Sequence, residues 1–104
     1  MELTLLTVQA CPNAAVFEER LAAALTGYPD AVVRRRQIAD EFEAAQAGMH
    51  GSPTLLIDGT DPFAAPRQPP SLSCRLYRDN TGRAERAPSV QTLRQVLQQA
   101  TARG

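Results

Sequence analysis

Hydrophobic and polar positions along the chain repeat with two different periods, and these periods predict the order of the elements. Residues 2–8 and 54–58 are mostly apolar, which is typical of strands covered on both faces of a sheet. Residues 31–37 begin apolar and become polar, whereas residues 73–78 alternate, and each of these segments predicts a further strand. The sequence therefore predicts four strands.

Three other segments carry the helical period. In residues 12–26 one stripe holds the apolar positions, which are Ala14, Phe17, Leu21, Ala24 and Leu25, and Gly27 is expected to end this helix. A short helix begins at Asp40, with a predicted buried face of Phe42, Ala45 and Met49. The last helix follows a cap at residues 87–89, with an apolar stripe of Val90, Leu93, Val96 and Leu97. The order reads βαβαββα.

Composition limits the chain to one domain and excludes several classes of function. With 104 residues and 43% hydrophobic content, residues 1–104 fit a single α/β domain. Eleven acidic residues balance eleven basic ones, so there is no charge excess that predicts binding to nucleic acid or to a membrane surface. The first residues do not resemble a signal peptide and no apolar run is long enough to span a bilayer, which predicts a cytoplasmic protein. With two cysteines and one histidine, no metal site is expected.

Cys11 lies between the first predicted strand and the first predicted helix, which opens with Pro12. A thiol in that position sits at a helix N-terminus, where backbone N–H groups and the helix dipole favour the thiolate over the thiol. Proline at the first helical position supports this placement, because its missing N–H would have no partner there. The sequence therefore predicts that Cys11 is a nucleophile.

A second segment adds to this signal. Residues 48–55 read Gly-Met-His-Gly-Ser-Pro-Thr-Leu and lead directly into the third predicted strand. Together with the βαβαββα order and a cysteine at the first strand-to-helix turn, this segment resembles the thioredoxin superfamily around its cis-proline. The resemblance covers nearly the whole chain and implies a thioredoxin-like fold, with a four-stranded mixed sheet in the order 2-1-3-4 and helices on both faces. No cofactor is implied apart from an external thiol such as glutathione.

The resemblance also implies roles for particular residues. Pro53 corresponds to the cis-proline, and Ser52 to the residue whose backbone pairs with an extended substrate. Pro12 and Asn13 would stabilise the Cys11 thiolate at the first turn of the helix. The chain departs from the dithiol members of the superfamily, because Ala14 occupies the position of their second, resolving cysteine. It is more similar to glutaredoxins that work with one cysteine.

Cys74 is the second thiol of the chain. In residues 72–76 the two-residue period of a strand places Cys74 on the same face as Leu72 and Leu76, which predicts a core residue. An antiparallel fourth strand would also start at the end of the sheet away from Cys11, roughly 20 Å from it. A disulfide needs Cα atoms within about 7 Å. The alternative stays open, because the connection 59–72 is long, contains four prolines and could bring Cys74 closer.

These observations lead to one favoured function and two alternatives. The favoured one is thiol–disulfide exchange, in which Cys11 forms a mixed disulfide with a protein disulfide or a small thiol and an external thiol releases it. The first alternative, on a weaker resemblance to alkylmercury lyases, is capture or cleavage of an organomercurial by Cys11 and Cys74. The second is a redox-inert binding module that uses the groove beside Pro53. His50 is expected to be a surface loop residue, the alternative being that it stabilises the thiolate. The arginines at 34–36 are expected to form a solvated strand end, the alternative being that they bind an anionic thiol such as glutathione.

Overall fold

Strands and helices alternate along residues 1–79 and 81–103, which are the residues that this computed structural model describes. In chain order the elements are β1 (Glu2–Thr7), α1 (Pro12–Ala24), β2 (Val32–Gln37), α2 (Glu41–Ala47), β3 (His50–Ser52), β4 (Thr54–Ile57), β5 (Ser71–Cys74), β6 (Tyr77–Arg78), β7 (Ala84–Glu85) and α3 (Val90–Arg103).

A mixed sheet of three strands forms the centre of the fold, in the order β2-β1-β4. β2 runs parallel to β1, with Glu2 opposite Val32, and β4 runs antiparallel to it, with Leu3 opposite Ile57. This arrangement agrees with the first three strands of the predicted order. β1 is the central strand, and its buried leucines explain why residues 2–8 read as an apolar run.

The predicted fourth strand is wrong, because residues 73–78 do not join the central sheet. β5 pairs in parallel with β3, and β6 forms an antiparallel pair with β7, so the chain carries two small sheets beside the main one. The prediction assumed one uninterrupted alternation from residue 72 to residue 78. An irregularity in the pairing of β3 with β5 breaks that alternation.

The irregularity is a bulge in β5. His50 pairs with Ser71 and Ser52 pairs with Cys74, so two steps along β3 correspond to three steps along β5. An extra residue reverses which side chains point inward. As a result Arg75 and Tyr77 are buried, whereas Cys74 is exposed and Leu76 is 62% exposed. The prediction that Cys74 is a core residue beside Leu76 is therefore wrong.

The helices follow the predicted pattern with one exception. The buried stripe of α1 contains Ala14, Phe17, Leu21 and Ala24, and α3 buries Leu93 and Leu97, as expected. The predicted face of α2 is wrong, because Phe42 is 75% exposed and Ala45 is exposed; Met49 is buried as predicted but lies beyond the end of the helix. α2 has only seven residues, so one inward position, Ala44, is enough to hold it.

Buried side chains form two clusters, one on each face of the central sheet. The larger cluster joins β1 and β4 to α1 and α3, and its members are Leu3, Leu5, Phe17, Leu21, Ala24, Leu55, Ile57, Tyr77, Ala87, Leu93 and Leu97. The smaller cluster lies beneath α2 and consists of Leu6, Ile38, Ala44 and Met49. Among the described residues, no helix combines the length and the apolar character that crossing a bilayer requires.

Candidate functional site

Cys11 is the N-cap residue of α1, at the junction that the sequence predicts. Its backbone is extended, with φ −70° and ψ 117°, and Pro12 follows at the start of the helix. The side chain is partly exposed. The first turn of α1 contains no acidic residue that would oppose a negative charge there. The site therefore combines an accessible thiol with the positive end of a helix dipole.

Arg86 binds the same first turn of α1, and the sequence analysis did not identify it. Its Nε donates a hydrogen bond of 2.8 Å to Asn13 Oδ1, and its Nη2 donates one of 3.1 Å to the carbonyl oxygen of Pro12. The Asn13 side chain is thus buried, and its oxygen already accepts a hydrogen bond from within the protein. A guanidinium group at this position adds positive charge next to the residue that follows Cys11. No local pattern connects Arg86 with a helix start 73 residues earlier.

Cys11 also lines a groove between the start of α1 and the edge strand β2. The other lining residues are Thr7, Val8, Ala10, Ala14, Arg35 and Gln37. Of the three arginines in β2, only Arg35 reaches this groove, and it forms an ion pair with Glu18 of α1. Arg34 and Arg36 form ion pairs with Glu2 and Glu43. Of the arginines of β2, the groove therefore contains Arg35, and its guanidinium is already paired with Glu18.

Ser52 lies next to the turn that leads to Cys11. Its Oγ accepts a 3.1 Å hydrogen bond from the backbone N–H of Val8, and the residue is fully buried. Its carbonyl oxygen accepts a 2.9 Å hydrogen bond from the N–H of Arg75. The resemblance assigns Ser52 backbone pairing with an extended substrate, and here the carbonyl is paired with the chain's own strand. The Ser52–Pro53 peptide bond is cis, as predicted.

A cluster of buried polar side chains lies next to Pro53. Arg75 Nη1 donates to Asp61 Oδ2 at 2.7 Å and to Thr54 Oγ1 at 3.3 Å, and the side chains of Arg75 and Asp61 are 7% and 3% exposed. The Arg75 guanidinium lies 4.8 Å from the centre of the Tyr77 ring. Burial raises the pKa of the Tyr77 hydroxyl, which donates a 2.5 Å hydrogen bond to the carbonyl oxygen of Pro53.

The two remaining candidates, Cys74 and His50, lie on β5 and β3. Both cysteines are free, and Cys74 is exposed as the register partner of Ser52. His50 is half-buried, and its Nδ1 lies 3.4 Å from the carbonyl oxygen of Pro69, so this nitrogen is turned toward the proline-rich connection. Within the part of the chain that the structure describes, no group of three metal-ligating side chains comes together.

Comparison with models of known protein families, with curated proteins and with solved structures finds no match.

Proposed function

We propose that this chain is a thioredoxin-like thiol protein that exchanges disulfides through Cys11. The observation that carries the proposal is the position of this partly exposed thiol at the N-cap of α1. The positive end of the helix dipole and the guanidinium of Arg86 both lie at the first turn of the helix that Cys11 caps, and the thiolate is the form of a cysteine that attacks disulfides. No second cysteine lies in the first turn of α1, where Ala14 is the third residue after Cys11.

The exchange reaction proceeds in two balanced steps. The Cys11 thiolate attacks one sulfur of a disulfide, forms a mixed disulfide and expels the other sulfur as a thiolate. A second thiolate then attacks the mixed disulfide and releases Cys11 as a thiolate again. Arg35 shares the groove with Cys11, and a substrate carboxylate near the reacting sulfur would share this guanidinium with Glu18. Small acidic disulfides such as glutathione disulfide fit this description.

The test compares two variants that each keep one thiol. With Cys74→Ser only Cys11 remains, and with Cys11→Ser only Cys74 remains. Each variant is incubated with glutathione disulfide near neutral pH, and the mixed disulfide is followed by intact-protein mass spectrometry. We expect Cys11 to react clearly faster than Cys74, because only Cys11 lies at a helix N-terminus. Equal rates, or a Cys11 that does not react, would leave the redox-inert binding module as the better description.

A second candidate function uses both thiols, namely capture of an organomercurial by Cys11 and Cys74. The observation that favours it is the exposure of Cys74, which leaves a second soft ligand accessible beside Ser52. The groove lined by Cys11 contains no carboxyl group to protonate a leaving carbon, so we propose capture without cleavage. Methylmercury chloride should then bind the native chain more tightly than Cys74→Ser. Equal affinities would remove this candidate.

A further inference from the structure

The second thiol, Cys74, is not buried and therefore does not contribute to the packing of the core. It is exposed, at the last residue of a four-residue strand that, among residues 1–79 and 81–103, pairs with β3 alone. The neighbouring inward residue, Arg75, supplies the packing and the hydrogen bonds of this segment. Both cysteines are therefore free, Cys11 partly exposed and Cys74 exposed.

Ser52 lies between the two segments that carry the cysteines. On one side its Oγ accepts a hydrogen bond from the N–H of Val8, three residues before Cys11. On the other side it is the register partner of Cys74, and Cα atoms of adjacent strands lie about 5 Å apart. Ser52 is fully buried whereas Cys74 is exposed, so the thiol lies at the solvent-facing side of the segment that Ser52 joins to the turn before Cys11.

Just after Cys74, the chain contacts α1, the helix that Cys11 caps. Tyr77 packs edge-to-face on Phe17 of α1, with ring centres 5.7 Å apart, and its hydroxyl bonds to the carbonyl of Pro53. Cys11 is the N-cap of that helix. Cys74 thus lies in a short segment, residues 74–77, that contacts Ser52 at one end and α1 at the other. We call this segment the crossing.

The crossing is also held in position from inside. The Arg75 N–H bonds to Ser52, and its guanidinium pairs with Asp61 in the proline-rich connection. Because consecutive residues of a strand point to opposite faces, anchoring Arg75 inward turns Cys74 outward. This geometry reverses the expectation, drawn from an antiparallel fourth strand, that Cys74 lies at the far end of the sheet.

From these contacts we propose that Cys74 is the resolving thiol of Cys11, so that the two cysteines close a reversible intramolecular disulfide. The inference rests on the proposed reactivity of Cys11. The oxidant is a low-molecular-weight disulfide. The Cys11 thiolate attacks one of its sulfurs and releases the first small thiolate, and then the Cys74 thiolate attacks Cys11 Sγ and expels the second. The two protein thiols are oxidised to one disulfide, and the small disulfide is reduced to two thiols.

The experiment uses the full chain, glutathione disulfide and intact-protein mass spectrometry after acid quenching. The native chain should lose the mass of two hydrogen atoms and carry no glutathione, because a tethered thiol acts at an effective concentration of about millimolar or more. Cys74→Ser should instead accumulate the mixed disulfide at Cys11. Proteolysis should recover one peptide pair joined through Cys11 and Cys74.

A matched control moves the thiol by one residue. In the double variant Ser73→Cys with Cys74→Ser, the thiol stays on β5 but leaves the register position opposite Ser52, and it should close the disulfide far more slowly. If the native chain and Cys74→Ser both accumulate glutathione equally, or if the disulfide joins two chains, the resolving role is wrong while the reactivity of Cys11 stands. If Cys11 takes up no glutathione in Cys74→Ser, the proposed function itself fails.

Discussion

Removing the charge of Asp61 should lower the free energy of unfolding substantially, because Asp61 is the partner of a buried cation, Arg75. In the variant Asp61→Asn the shape of the side chain and its hydrogen bond from the N–H of Phe63 can remain, while the negative charge is lost. Arg75 then stays buried, with 7% of its side chain exposed and only Thr54 as an uncharged acceptor. The perturbation therefore isolates the charge.

The magnitude follows from the burial of the pair. Breaking a buried ion pair by removing one partner costs about 3–5 kcal/mol, because it leaves an uncompensated charge. Since Thr54 Oγ1 still accepts from the guanidinium and the face of the Tyr77 ring still lies beside it, we expect the lower end, about 3 kcal/mol. For a chain of this size this corresponds to a decrease of about 12 °C in Tm. It is also a large share of the roughly 5–15 kcal/mol by which domains are stable.

Urea unfolding followed by circular dichroism measures the free energy of unfolding. The matched control is Glu2→Gln, which breaks the exposed pair with Arg34, where both side chains are more than 60% exposed. That change should cost at most about 1 kcal/mol. If Asp61→Asn lowers the free energy of unfolding no more than Glu2→Gln does, the Asp61–Arg75 pair does not stabilise the connection 59–72. Should Asp61→Asn fail to fold, the double variant Asp61→Leu with Arg75→Met removes both charges and should recover most of the stability.

Three further predictions follow from the site. Arg86→Gln should slow alkylation of Cys11 by iodoacetamide about two- to fivefold at low salt, as expected for a charge near a helix terminus; Arg86→Lys should restore part of the rate, and an unchanged rate would contradict the role of Arg86. Cys74→Ser should change the free energy of unfolding by less than about 0.5 kcal/mol in urea, because the side chain is exposed; a loss of about 1–3 kcal/mol would indicate a buried thiol. Burial raises the pKa of Tyr77 from 10.0, so the folded state favours the protonated phenol, and stability should fall as the pH rises above about 10. Tyr77→Phe should remove this dependence from urea unfolding curves, and a persisting dependence would assign it to another group.

The central part of the fold was predictable because periodicity and pairing agree there. The apolar run of β1 marks the middle strand of a sheet, and the stripe of α1 identifies its buried face. Cys11 was placed correctly for the same reason, since the change of period between these two segments fixes where the helix begins. Local signals are sufficient when one face of an element is buried along its whole length.

The second half of the site was not predictable in this way. The inward position of Arg75 depends on Asp61, which lies in an irregular connection, and on the bulge opposite β3. A strand pattern read without that bulge assigns every following side chain to the wrong face. Arginine is also rarely buried without a charged partner, and a sequence does not show which carboxylate will provide one. The exposed Cys74 therefore looked like a core residue, and no local pattern marked Arg75 as buried.

The same bulge links the stability of the chain to its chemistry. Had the alternation continued without an extra residue, Cys74 would point into the protein and Arg75 into solvent, and the second thiol would be inaccessible. With the bulge, the Asp61–Arg75 pair keeps the inner face of the crossing buried, and the outer face carries a thiol opposite Ser52. A buried charge that costs free energy to desolvate is consistent with a segment whose orientation matters for function. The buried ion pair therefore anchors the residue after Cys74 inward and leaves the thiol on the solvent-facing side.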